Sequence, residues 1–176
     1  MERIVIICGT NRNDSVSMEI VGIYKSLLEE LDQAAVIIDL KDLPSDFTAS
    51  ALYENSGKNE KFNEFRELMS EAKKFVFVVP EYNGSFPGVL KAFIDGLKFP
   101  DTFTDKKCAL VGVSSGVQGG GLALSHLTDI FNYCGTNVLA LKPKLAQIDR
   151  HLEGGKITND LYNTLLKDQA RKLVDF

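Results

Sequence analysis

Phe75-Val-Phe-Val-Val-Pro-Glu-Tyr-Asn-Gly-Ser-Phe-Pro-Gly-Val-Leu-Lys-Ala-Phe-Ile-Asp-Gly96 reads as strand, loop and helix in direct succession. Residues 75–79 are aromatic or β-branched without a polar break, the pattern of a strand covered on both faces, as in a parallel sheet. Pro80 ends it, because proline cannot donate to a sheet ladder. Pro87 stands near the start of a helix in which Val89, Leu90, Phe93, Ile94 and Leu97 recur at helical spacing. Between them lies Glu81-Tyr-Asn-Gly-Ser85, polar with one aromatic. Asn83-Gly84 is also a hairpin signal. A hairpin needs an alternating strand on its far side, however, and here the far side is helical. Ligands of open α/β sheets bind at the carboxyl ends of strands, so this loop is the first candidate for function.

The same alternation continues outward in both directions. Residues 3–8 form an apolar first strand that Gly9 breaks, and residues 17–31 a helix with Ile20, Val21, Tyr24, Leu27, Leu28 and Leu31 on one face. Ser15 or Ser17 supplies its cap. Residues 35–40 read as the second strand. Residues 41–59 are a polar connection with Pro44 and Gly57, long enough to expect either function or mobility, and they are expected, together with a neighbouring subunit, to supply much of the pocket wall. Phe62, Phe65, Leu68 and Met69 mark the next helix. After residue 96 come a strand over 107–113, a small-residue loop, and a helix closed by Cys134-Gly135, where a C-terminal cap favours positive φ. A fifth strand over 136–141, a polar loop and a last helix over 158–174 carrying Leu161, Leu165 and Leu166 complete the chain. Five strand–helix units in a row predict an α/β fold in three layers: a doubly wound, five-stranded parallel sheet of order 2-1-3-4-5, with residues 1–176 as a single domain.

Composition narrows the function. At 176 residues the chain is long enough for one full core. Its net charge of -4 provides no basic footprint for nucleic acid, so a phosphate-bearing ligand has to be held by local geometry. No run approaches the ~20 apolar residues of a membrane span. The N-terminus enters a strand without a signal-peptide pattern, which makes a cytoplasmic location the expectation. Cys8, Cys108 and Cys134 are odd in number and widely spaced, implying neither a disulfide framework nor a metal site.

In the 2-1-3-4-5 topology the loops after strands 1, 3 and 4 meet at one edge. The first, Gly9-Thr-Asn-Arg-Asn-Asp-Ser-Val-Ser17, reads as an anion cradle. The hydroxyls of Thr10, Ser15 and Ser17, the Arg12 guanidinium and the free N–H groups at a helix N-terminus (where Met18 also lies) suit a terminal phosphate. A solvated loop with an ordinary cap is the bland alternative. Gly9 stands alone, so this is not Gly-x-Gly-x-x-Gly, and no triphosphate-binding Gly-Lys-Ser/Thr is present. In the second loop, which runs Pro80, Glu81, Tyr82, Asn83 and Gly84, the backbone amides after the proline and the Tyr82 ring are offered to something flat and polar. The third begins Ser114-Ser115-Gly116 and runs to Gly121 with little side chain, which lets a planar ring approach or makes a plain turn.

The first loop together with Pro80-Glu-Tyr-Asn-Gly-Ser-Phe-Pro-Gly-Val-Leu-Lys-Ala-Phe-Ile-Asp95 resembles the NADPH-dependent FMN reductase family, which includes quinone, azo-dye and chromate reductases of flavodoxin-like fold. The likeness runs over nearly the whole chain. It implies FMN phosphate held by Thr10, Arg12, Ser15 and Ser17, with the isoalloxazine ring against residues 80–84 and its other edge at Ser114, Ser115 and Gly116. It also implies NADPH or NADH as co-substrate and a homodimer or homotetramer, with the helix after Pro-Glu-Tyr-Asn packing across the axis; the surplus of Phe86, Val89, Phe93, Leu97 and Phe99 permits that packing, and the helix core of a single chain would look much the same. The chain departs from the family at Ser17, usually asparagine, and at Leu122, often arginine.

The function expected is an FMN-dependent NAD(P)H oxidoreductase passing electrons to a flavin, quinone, azo or similar small acceptor, with no membrane partner. Because the cofactor carries such chemistry, no acid–base dyad is named. Glu81 is a candidate proton source that in a strand-end loop more often faces solvent, and His126 and His151 read as structural or solvated. Two other readings stand beside it: a flavin-binding electron carrier without nicotinamide activity, and a flavodoxin-like interaction module that has lost its cofactor. A receiver-type version of the latter would need an acidic cluster where this chain has Cys8-Gly9-Thr10.

Overall fold

In the computed structural model, which describes residues 3–176, β1 (Ile4–Cys8) and β3 (Lys74–Pro80) lie side by side at the centre of a parallel sheet. β2 (Ala35–Asp39) pairs with the outer edge of β1, and β4 (Lys107–Val113) with β3. With β5 (Asn137–Val138) the order is β2-β1-β3-β4-β5, as the alternating pattern predicts. The uninterrupted apolar runs now have their cause. Along β1, Val5 and Ile7 face the core beneath α3 (Glu60–Glu71), α4 (Gly88–Gly96) and α5 (Gly121–Tyr133), while Ile4, Ile6 and Cys8 face the core beneath α1 (Val16–Glu29) and α6 (Asp160–Asp175). A strand with helices on both sides has no face on which polar residues are cheap.

Local signals end the helices where the chemistry calls for it. Ser15, not Ser17, caps α1, its hydroxyl accepting from the Met18 N–H at 3.3 Å. Gly135 follows α5 with φ of 80°, the left-handed conformation expected of it. In α6 Leu166 is buried, but Leu161 faces outward at 62% exposure. No helix among the described residues is long and apolar enough to cross a membrane.

Two expectations need correction. Residues 41–59 are not an open connection. They hold two 3₁₀ turns and the short helix α2 (Phe47–Ser50), whose Phe47 stacks on Phe62 at 5.6 Å, and Ala51 and Leu52 are buried beside it. Polar side chains tie the segment to α3: Asn59 Nδ2 donates to Ser50 Oγ and Arg66 Nη1 to Ser56 Oγ, each at 2.6 Å.

The expected fifth strand over 136–141 is also interrupted. β5 stops at Val138, and the chain returns to β4 only at β6 (Lys144–Leu145). Proline at 143 has no N–H for the ladder. In the gap the buried Gln169 of α6 donates its amide to Leu110 O at 2.9 Å and Leu141 O at 2.7 Å, satisfying carbonyls that the departing strand leaves. The polar loop before α6 contains a two-stranded hairpin, β7 (Leu152–Glu153) with β8 (Lys156–Ile157).

Candidate active site

The loops after β1, β3 and β4 enclose a cleft of about 170 Å³ at the carboxyl edge of the sheet. Thr10, Arg12, Ser15, Ser17, Pro80, Glu81, Tyr82, Ser114 and Ser115 all line it. Met18 does not. It lines a neighbouring groove that shares Arg12 and Ser15 and adds Asp39 and Lys41. Asn83, Gly84 and Gly116 also stand outside the lining, as does every residue of 41–59, so the expectation that this segment walls the pocket fails within one chain. The phenylalanine stack carries that segment into the core instead.

Two side chains of the first loop, Ser17 and Arg12, have donors that no acceptor among the described residues receives. Ser17 is 2% exposed, and its hydroxyl has no partner among the described residues. Arg12 is exposed and its guanidinium is likewise unpaired. Val16 and Ser17 are the first two residues of α1, where backbone N–H groups lack intrahelical acceptors and the helix dipole favours an anion. Beneath them Cys8 Sγ lies 3.7 Å from Ser15 Oγ. Burial pushes this thiol up, partly offset by that hydrogen bond. A thiol held in its neutral form leaves the anion-attracting field of the loop intact.

The second loop is a two-residue turn. Tyr82 and Ser85 exchange backbone hydrogen bonds at 2.8 and 3.1 Å, and Asn83 and Gly84 both have positive φ, 52° and 75°. The Asn-Gly signal therefore reports a real turn, but one folded between a strand and a helix rather than between two strands. The end of β4 and this turn use up donors that the loop was expected to offer: Glu81 N–H goes to Val113 O at 3.0 Å and Tyr82 N–H to Ser85 O. The backbone amides of Asn83 and Gly84 have no acceptor among the described residues. The Glu81 side chain is half-buried and makes no hydrogen bond or ion pair among the described residues. Tyr82 Oη lies 2.8 Å from Thr10 Oγ1 across the cleft. Ser85 Oγ lies 2.9 Å from His126 Nδ1 on α5. His151 packs edge-on against Tyr162, and neither histidine lines the cleft.

The third loop corrects the reading of its glycines. Gly119 and Gly120 have positive φ, and a side chain on Gly119 would run into Lys144. They seat the loop against the sheet and do not open it to a ring. Gly116 is bound to Ser114, its N–H donating to Ser114 Oγ at 2.8 Å.

Sequence reasoning missed Asp14, Val16, Val113, Ile148 and Asp149 as lining residues. The last two arrive from beyond β6, because Ile148 N–H bonds Ser114 O at 3.1 Å and Gln147 N–H bonds Gly116 O at 2.9 Å. No local pattern announces that pairing. Asp14 had a signal, an aspartate in a polar loop able to take positive φ (49°).

The sequence pattern of the NADPH-dependent FMN reductases matches residues 2–144. The chain belongs to that family. As a member, it is an NAD(P)H-dependent oxidoreductase that uses FMN. This FMN reductase homologue is 28% identical over 180 residues to the probable NADPH:quinone oxidoreductase 2 of Oryza sativa subsp. japonica, covering 96% of this chain and 87% of that protein. It is 30% identical over 137 residues to a 2-hydroxy-1,4-benzoquinone reductase of Burkholderia sp, covering 74% and 70% respectively. In fold it is similar to the flavoenzyme NAD(P)H:(acceptor) oxidoreductase FerB of Paracoccus denitrificans, with a TM-score of 0.79 at 23% identity over 99% of this chain and 96% of that one.

Proposed function

We propose that the cleft is the FMN site and that the enzyme passes electrons from NADPH or NADH to a small acceptor of the quinone, flavin or azo class. The observation that carries this reading is the unpartnered hydroxyl of the buried residue Ser17, lining the cleft beside the free Arg12 guanidinium and the first amides of α1. A side chain held in place with an unused donor matches a ligand that brings several acceptors, and a terminal phosphate does so. Thr10 and Ser15 complete the set.

The ring then lies toward Pro80, Glu81 and Tyr82 on one side and Ser114 and Ser115 on the other. Asn83 and Gly84, whose amides are uncommitted, stand next in the chain. When bound, FMN supplies the hydride chemistry, taking two electrons from the nicotinamide and releasing them to the acceptor. The chain's part is to hold the phosphate, to set the ring against a rigid turn and to leave one ring face open. The turn is held at both ends, by Thr10 and by His126 through Ser85. The quinone-reducing activities named for the rice and Burkholderia relatives support a quinone-class acceptor.

A homodimer belongs to this reading. Of the five apolar residues expected to mark the contact, Phe93 and Leu97 are spent in the chain's own core, and Phe99 stands out at 71% exposure. Leu122 and Tyr133 on α5 add apolar surface at 50% and 85% exposure.

The deciding experiment is the visible spectrum of the purified protein with FMN, before and after anaerobic addition of NADPH or NADH. Flavin bands that bleach, and recover on adding a benzoquinone, are the expected result. Bands that persist would make the protein an electron carrier instead. A protein that takes up no FMN would overturn the site.

A further inference from the structure

Thr10 Oγ1 is at the centre of a small hydrogen-bond network. The residue is 1% exposed, and its hydroxyl oxygen accepts the Arg12 backbone N–H at 3.2 Å. The same oxygen lies 2.8 Å from Tyr82 Oη, a residue 72 positions away in sequence. Both side chains line the cleft. A hydroxyl has one proton to give and two lone pairs to receive with. A phenol is the more acidic of the two groups and hence the better donor. When Tyr82 donates to Thr10, both acceptor positions of Oγ1 are filled, by Arg12 N–H and by the phenol. The Thr10 proton is then available to an acceptor in the cleft that the residue lines.

We propose that Tyr82 is a positioning residue for the cofactor phosphate: its hydroxyl orients the Thr10 hydroxyl as a donor to that phosphate and so couples the turn at the ring end of the cleft to the anion loop at the other. This rests on the reading of the cleft as the FMN site. It assigns Tyr82 a task separate from any contact of its ring with the flavin, since the Tyr82 backbone already closes the turn with Ser85.

The test is equilibrium titration of apoprotein with FMN and with riboflavin, which lacks the phosphate, followed by flavin fluorescence. The proteins are the wild type, Tyr82→Phe, Thr10→Val and the double variant. Loss of one hydrogen bond to a donor of this kind is expected to weaken FMN about three- to tenfold in Tyr82→Phe. Riboflavin should change by less than about twofold, since no phosphate is there to be oriented. The double variant should match Thr10→Val alone, because Tyr82 acts only through Thr10. Equal weakening of both flavins, or additive losses in the double variant, would overturn the proposal while leaving the FMN site standing. A wild type that binds neither flavin would overturn the site reading and this inference with it. Tyr82 is 38% exposed, so unchanged thermal unfolding of Tyr82→Phe is the expected control.

Discussion

Gly112 of β4 and Gly119 of the loop that follows are packed backbone against backbone: a Cβ on Gly112 would collide with the Gly119 carbonyl oxygen. The obstacle is main chain, which cannot swing aside as a side chain does. The loop carrying Ser114 and Ser115 into the cleft is seated by this contact and by the Ser114 N–H bond to Leu145 O at 3.1 Å. Gly112→Ala is therefore expected to cost about 1–3 kcal/mol, as overpacking does, and to displace the site loop. Urea unfolding reads the first effect and FMN titration the second. A variant with unchanged stability would show that the loop can retreat without loss.

Tyr24 on α1 is fully buried, and its hydroxyl has no hydrogen-bond partner among the described residues. Desolvation raises its pKa above the ordinary value of 10.0. Tyr24→Phe removes an unsatisfied polar atom without changing the ring, and the expected gain is about 1–2 kcal/mol. A phenol raised in the folded state contributes stability that is fully present below its unfolded pKa and is lost as the pH climbs above it. The wild type should thus lose stability from about pH 10 upward, and Tyr24→Phe should lose less. Chemical denaturation at pH 8 and pH 11 compares the two proteins; parallel losses would contradict the assignment.

All three thiols are held in their neutral form, by burial first. Cys8 and Cys108 are fully buried and Cys134 half-buried, each with its pKa raised above 9.0. Native protein at pH 7.5 should show no fast-reacting thiol toward a disulfide reagent, with Cys134 the first to react and all three accessible after denaturation. A rapid burst in the native state would refute the burial argument.

Asp14 lines both the cleft and the groove beside it, next to Arg12, and has φ of 49°. Asparagine tolerates that backbone as well as aspartate does. Asp14→Asn then removes only a negative charge near the proposed phosphate position. FMN binding should tighten by about two- to fivefold at low salt, with the gain shrinking as salt rises. Unchanged affinity at low salt would place the phosphate away from this end of the loop.

Sequence and structure agree most closely where information is local. The sheet order followed from apolar runs such as 75–79, whose length and lack of polar breaks demand cover on both faces. The capping choice between Ser15 and Ser17 was narrowed to two residues that both stand in the cleft, one as cap and one as free donor. The donor-rich first loop was legible because hydroxyls, a guanidinium and a helix start lie within nine consecutive residues, 9–17. Agreement failed where a backbone group chose a distant partner. The amides of Glu81 and Tyr82 looked free in sequence and are committed in the fold. Ile148 and Asp149 enter the cleft through bonds to the Ser114 loop, and Gln169 fills a break in the sheet from a helix 28 residues beyond Leu141.

The sequence by itself determined the α/β alternation, the strands that need cover on both faces and the donor-rich first loop, because each depends on residue type and spacing along a few turns of chain; the Asn83-Gly84 turn is signalled there but set aside for want of a second strand. Only the tertiary structure decided which of those donors remain unspent, which remote segment closes the cleft and that Tyr82 reaches Thr10. A hydrogen-bonding group is free or committed according to what packing brings within about 3 Å of it, and that is a property of the assembled fold.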